Sequence, residues 1–124
     1  MKTRLTVGLM SGTSADGVTA ALVSIGANGL RILRHRTYPY SRALKARVLD
    51  APNLSVAELS RLNFELGAAF AAAALAVSAG RRPALIGSHG QTVWHGPDAI
   101  PANTLQIAEP AVINRPDSCE RDPL

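Results

Sequence analysis

The chain has 124 residues, enough for one domain or part of one. Hydrophobic residues make up 47% of it, which argues against a disordered chain, and no apolar run reaches the roughly 20 residues of a membrane span. Six of its 13 basic residues (Arg31, Arg34, Arg36, Arg42, Lys45 and Arg47) fall in one stretch, but only Tyr38 and Tyr40 interleave with them. That pattern reads as a solvated strand edge and helix face, not as a nucleic-acid platform.

Leu5, Val7 and Leu9 alternate with Thr6 and Gly8 and predict a strand over residues 4–10. A polar turn follows, and VTAALVSI at 18–25 predicts a second strand. GANG at 26–29 is turn chemistry, because Gly and Asn tolerate positive φ. LRILRHRTY at 30–38 predicts a third strand, with Leu30 and Ile32 facing one way and Arg31, Leu33 and His35 the other. Short connections between these strands predict an antiparallel meander. Ser41 caps a short helix through about Asp50, and Pro52-Asn53 breaks it. Ser55 and Glu58 have capping-box spacing. Val56, Leu59, Leu62, Leu66, Phe70, Ala73 and Val77 step by three and four along a long buried helix that Gly80 ends. ALIGSHG at 84–90 predicts a short apolar strand opening into a polar loop, and NTLQI at 103–107 another strand. Glu109-Pro110 opens a final helix with proline in its first turn. The order β-β-β-α-α-β-β-α implies strands of mixed direction covered by helices, in an α/β or α+β layer arrangement.

The chemistry concentrates in GLMSGTSADG, residues 8–17. A tight turn containing Gly12, Thr13, Ser14, Asp16 and Gly17 presents backbone N–H groups together, and converging N–H groups make an anion nest. Ser11, Thr13 and Ser14 add hydroxyls. Asp16 repels phosphate directly but suits Mg²⁺, which binds carboxylate and phosphate oxygens together. The segment is not a Walker A loop, since it has no lysine and leads into a strand. On spacing alone, an ordinary glycine-rich hairpin turn is an equal alternative. SHGQTVWH places His89, Gln91, Thr92 and His95 just past an expected strand end, where α/β folds place ligands. Gln91, Thr92 and Trp94 suit a sugar; His89 also reads as a structural histidine. The separation of His89 from His95 is poor for a metal pair on one element. Gln106 and Glu109 flank the next strand end, and Glu109 reads equally as a helix N-terminal acid.

Three segments in order, GLMSGTSADG (8–17), IGSHGQTVWHGP (86–97) and TLQIAEPAVI (104–113), resemble the anhydro-N-acetylmuramic acid kinases. These are sugar kinases of the actin/hexokinase/Hsp70 ATPase superfamily. The resemblance runs from about residue 4 to residue 113. It implies an α/β, actin-like ATPase (ribonuclease H-like) fold, with residues 1–113 as the N-terminal part of its first domain and 114–124 as a divergent tail. It implies a kinase that uses ATP, Mg²⁺ and water to convert 1,6-anhydro-N-acetylmuramic acid to N-acetylmuramic acid 6-phosphate in the cytoplasm, with neither nucleic acid nor membrane as partner. By the same resemblance Gly12, Thr13, Ser14, Ala15, Asp16, Gly17, Val18 and Thr19 hold the ATP phosphates. Asp16 serves Mg²⁺, and His89, Gln91, Thr92 and Glu109 lie toward the sugar.

Three departures from the family pattern stand out. Thr19 occupies a position that usually carries a second acid, and Ala108 replaces the glycine of LQIGEP. The family's general base, an aspartate in a later DFR segment, has no counterpart in this sequence. The chain is therefore expected to be the N-terminal portion of such a kinase, with little activity alone and a homodimer or a complementing C-terminal half as partners. The alternative is a non-catalytic phosphate- or nucleotide-binding fragment. Its single cysteine, Cys119, fits a reducing compartment.

Overall fold

The computed structural model describes residues 3–114; most of the expected divergent tail, Cys119 included, lies outside the described residues. Strands β1 (Arg4–Ser11), β2 (Gly17–Gly26) and β3 (Gly29–Pro39) come first. Helix α1 (Arg42–Leu49), a 3-10 turn (Ala51–Asn53) and helix α2 (Val56–Ser78) follow. Then come β4 (Leu85–Gly96), β5 (Asn103–Ile107) and the short helix α3 (Pro110–Ile113). The strands form one sheet in the order β3-β2-β1-β4-β5. The β1–β2, β2–β3 and β4–β5 pairs are antiparallel, and β1–β4 is parallel. The expected meander is present. The helices provide the crossover that a parallel β1–β4 pair requires. The result is the mixed α/β sheet with helices expected of an actin-like ATPase domain.

One face of the sheet carries the core. Val7, Leu9 and Ser11 alternate inward from β1, and Val18, Ala20 and Leu22 from β2. The pairing of Val7 with Leu22 and Leu9 with Ala20 puts the two sets on the same side. Against them α2 buries Leu62, Leu66, Phe70 and Val77 completely. Its alanines Ala73 and Ala74 keep the helix close to the strands. The start of α2 is fixed by a full capping box: Ser55 Oγ accepts from the Glu58 N–H at 3.1 Å, and Glu58 Oε1 accepts from the Ser55 N–H at 2.9 Å. Its end differs from expectation. Ala79, not Gly80, takes the left-handed capping position at φ 50°, with Gly80 following at φ 83°.

A register shift between β2 and β3 changes the expected pattern of the third strand. An extra residue in β3 opposite Leu22/Val23 turns Leu33 toward the core, while Leu30 and Ile32 stay exposed. The basic stretch is divided. Arg31, Arg34 and Arg36 line the exposed edge strand, a placement that discourages edge-to-edge pairing. Arg47 of α1 forms an ion pair with Glu65 of α2, its Nη1 donating to both carboxylate oxygens.

The larger correction concerns β4, which continues to Gly96 instead of opening into a loop after residue 90. Its first half pairs with β1 and its second half, Gln91 to Gly96, with β5. Because β5 supplies partners for the second half, Gln91, Thr92 and His95 are strand residues; His89 belongs to the same strand at its register shift against β1.

Helix α3 rests on α2 at Gly67. A Cβ there would stand 2.9 Å from the Glu109 carbonyl oxygen and 3.1 Å from Val112 Cβ. Asn63, one turn earlier, accepts from the Glu109 N–H through its carbonyl (3.0 Å) and from the Ala108 N–H through Oδ1 (2.9 Å). Gly67→Ala is predicted to destabilise the fold by about 1–3 kcal/mol through overpacking. Urea unfolding measures it, and an unchanged midpoint would show that α3 is not held this closely.

Candidate functional site

The segment Gly12–Asp16 joins β1 to β2. The Ala15 N–H donates to the Gly12 carbonyl at 3.1 Å, closing a turn with Thr13 and Ser14 exposed at its tip. Ala15 is left-handed at φ 54°, a conformation that costs an L-residue roughly 1–2 kcal/mol, and its methyl group is completely buried. Such a reversal after a turn makes adjacent N–H groups converge. Among the described residues, Thr13, Ser14 and Asp16 donate no backbone hydrogen bond of this turn type. Gly12 has open space where a Cβ would stand, so a ligand can approach its backbone. Gly17 is required for a different reason: a Cβ there would lie 2.4 Å from the Tyr38 carbonyl oxygen.

Beneath the turn lies a buried polar anchor. Gln91 is completely buried. Its Nε2 donates to the Gly12 carbonyl (2.7 Å) and to the Thr92 carbonyl (2.9 Å), and its Oε1 accepts from the Tyr40 hydroxyl (2.9 Å). Burial raises the Tyr40 phenol pKa, so the hydroxyl stays protonated and able to donate. The Tyr40 N–H also donates to the Asp16 carbonyl at 3.2 Å, so one residue secures both ends of the turn. Ser11 Oγ is buried with no hydrogen-bond partner among the described residues.

The loop sequence contains no lysine, but the fold supplies one. Lys45 of α1 donates from Nζ to Asp16 Oδ1 at 2.8 Å. Hydrogen bonding from Lys45, and then from Ser14, holds the Asp16 carboxyl below its ordinary value of 3.8.

The remaining predicted site residues divide into groups. Val18 is core, and Thr19 bonds Thr37 hydroxyl to hydroxyl at 3.0 Å on the opposite face of the sheet. Thr13 meets Thr92, Trp94 and His95 around a cleft of about 230 Å³, closed by Val48, Leu49 and Pro52. Thr92 Oγ1 accepts from Gln106 Nε2 at 3.3 Å, and Trp94 Nε1 donates to Asn103 Oδ1 at 2.9 Å. His89 is exposed at the β4 register shift, outside this lining. Glu109 lies apart from the loop in its bonding: its carboxylate caps α3 by accepting from the Ala111 N–H at 3.1 Å. Tyr40 and Lys45 carry no local sequence signal for this role. No spacing signal links them to the loop, because only the β2–β3 pairing brings residue 40 alongside residue 16.

Lys45→Met is predicted to raise the Asp16 pKa toward its ordinary value, because the Lys45 bond is the largest cause of the depression. A depressed carboxylate contributes stability above its unfolded pKa and loses that contribution as pH falls through the folded value. The variant should therefore show a flatter loss of stability below about pH 4, the unfolded carboxylate range. A carbon-detected NMR titration of Asp16 reads the shift directly; an unmoved titration would rule out the pairing in solution.

Comparison with known proteins identifies the family. The family model for anhydro-N-acetylmuramic acid kinase matches residues 4–118. A protein of that name from Caldanaerobacter subterraneus subsp. tengcongensis is 43% identical over 128 residues, covering 89% of this chain and 32% of its own length. One from Cyanothece sp. is 41% identical over 117 residues, covering 86% and 31%. One from Bacillus cereus is 40% identical over 121 residues, covering 86% and 32%. The chain spans about a third of the length of these relatives. By its sheet, its hydroxyl-bearing loop and these matches, the chain belongs to the anhydro-N-acetylmuramic acid kinase family.

Proposed function

We propose that this chain forms the phosphate-gripping part of a cytoplasmic kinase that converts 1,6-anhydro-N-acetylmuramic acid to N-acetylmuramic acid 6-phosphate, using ATP and water, in cell-wall recycling. The observation that carries this reading is the exposed Gly12–Ser14 turn, with its undonated amides beside the cleft. Bound ATP supplies the phosphoryl group. The Thr13 and Ser14 N–H groups, with their hydroxyls, bind its phosphate oxygens; Gly12 gives room for close approach. Ala15, Gly17 and Val18 frame the turn from the buried side. Asp16 suits Mg²⁺, which needs few protein carboxylates because it keeps several waters and takes phosphate oxygens. Lys45 must leave Asp16 for that, and the incoming phosphates are its natural new partner.

On the sugar side Thr92 and His95 offer polar groups beside the indole of Trp94. His89 extends the same strand, Gln91 acts through its neighbours, and Glu109 reaches a ligand only by releasing its cap on α3. The described lining of the cleft carries no carboxylate, so a general base for the attacking water is missing from it. We therefore infer that the 124-residue chain binds nucleotide but turns over little substrate alone.

Calorimetry with Mg·ATP is predicted to show saturable binding, and Asp16→Asn to abolish the Mg²⁺ enhancement while sparing binding of metal-free tripolyphosphate. Absence of binding would overturn the phosphate assignment. Incubation with Mg·ATP and the anhydro-sugar is predicted to give no 6-phosphate product; robust turnover would refute the inference about activity.

A further inference from the structure

We propose that Gln91 is a positioning residue that aims the phosphate turn, and that Tyr40 locks its amide in the required orientation. The inference rests on the phosphate assignment above and goes beyond it, to how the turn's amides come to face outward.

Gln91 is completely buried, and all three of its hydrogen bonds are internal. It therefore cannot touch a ligand in this arrangement. Its orientation is unambiguous. Two carbonyl oxygens, from Gly12 and Thr92, face one end of the side-chain amide, and only the NH₂ end can satisfy both. The opposite end then accepts from the Tyr40 hydroxyl. The consequence for the loop follows from peptide geometry. The peptide between Gly12 and Thr13 is planar and trans, so its N–H points opposite to its C=O. A Gly12 carbonyl drawn inward to Gln91 at 2.7 Å turns the Thr13 N–H outward, toward the exposed side of the turn. The Gly12 carbonyl also accepts from Ala15 at 3.1 Å, so this one oxygen sets both the direction and the closure of the turn. Tyr40 adds its N–H bond to the Asp16 carbonyl at 3.2 Å. The turn is thus oriented before any ligand arrives, which lowers the ordering cost of binding.

The test uses the 124-residue chain, with Mg·ATP and inorganic tripolyphosphate as probes in calorimetry. Gln91→Met keeps the length and removes every polar contact; Tyr40→Phe removes only the lock. Gln91→Met is expected to weaken binding of both probes about tenfold or more, the effect of one well-aimed hydrogen bond to a charged group. Tyr40→Phe is expected to weaken it about threefold, a smaller share of that same bond. In the ligand-free state the Gly12 carbonyl carbon resonance should move in both variants, since it reports the bond to Gln91. Folded Gln91→Met protein with unchanged affinity would overturn the proposal, as would a lowered melting temperature with affinity preserved. If Gln91→Met does not fold, Tyr40→Phe decides: weakened binding supports the proposal and unchanged binding overturns it. Failure of the wild-type chain to bind either probe would overturn the phosphate assignment and this inference together. Normal wild-type binding with unaffected variants would overturn this inference alone.

Discussion

The parallel pairing of β1 with β4 is the constraint from which the site follows. Its register sets Ser11 opposite Gln91, at the point where β1 gives way to the turn. It does so only because β4 carries one extra residue between Ser88 and Gly90, with Gly90 at φ 83°. Without that shift Gly90 would oppose Ser11, and the Gln91 side chain would leave the buried face. The Gly12 carbonyl would then lose its buried donor. The pairing is held from behind by α2, whose fully buried Leu62, Leu66, Phe70 and Val77 pack on the same side as Val7, Leu9 and Leu22. Core packing and the aim of the loop are therefore parts of one arrangement.

The charges around the turn have a different character. Asp16 and Lys45 are both substantially exposed, with side-chain accessibilities of 67% and 42%. Exposed pairs of this kind contribute little to stability and are readily exchanged. Such a pair suits the proposed role of Asp16, in which the carboxylate would exchange Lys45 for a metal ion. The buried bonds fix the geometry of the turn, and the exposed pair holds its charges in reserve. The left-handed Ala15 belongs with the first group, because its buried methyl group anchors a strained conformation next to the exposed amides of the turn.

Much of the fold was legible in the sequence because its signals are local. Alternation in LTVGL, the GANG turn, the Ser41 cap and the Ser55/Glu58 box each depend on a few neighbouring residues, and the structure contains all of them. The second half of β4 was not legible, because Gln91 to His95 mixes polar and apolar residues without clean alternation and is paired by the distant strand β5. Gln91 had the polarity of a sugar ligand, and nothing local revealed its complete burial. Lys45 and Tyr40 escaped for the same reason, being joined to the loop across the sheet. Glu109 had two readings, and its carboxylate forms the cap. The change from glycine to Ala108 falls at a positive φ of 157°, a backbone setting that favours glycine, with its N–H held by Asn63.

Phosphate binding by this turn requires its main-chain amides to meet the phosphate oxygens. Titrating the isotope-labelled chain with Mg·ATP and following every backbone amide by NMR tests this most directly. The account predicts that the Thr13 and Ser14 resonances move first and saturate together with the total binding. Saturation that leaves those two amides unmoved, while others shift, would contradict it.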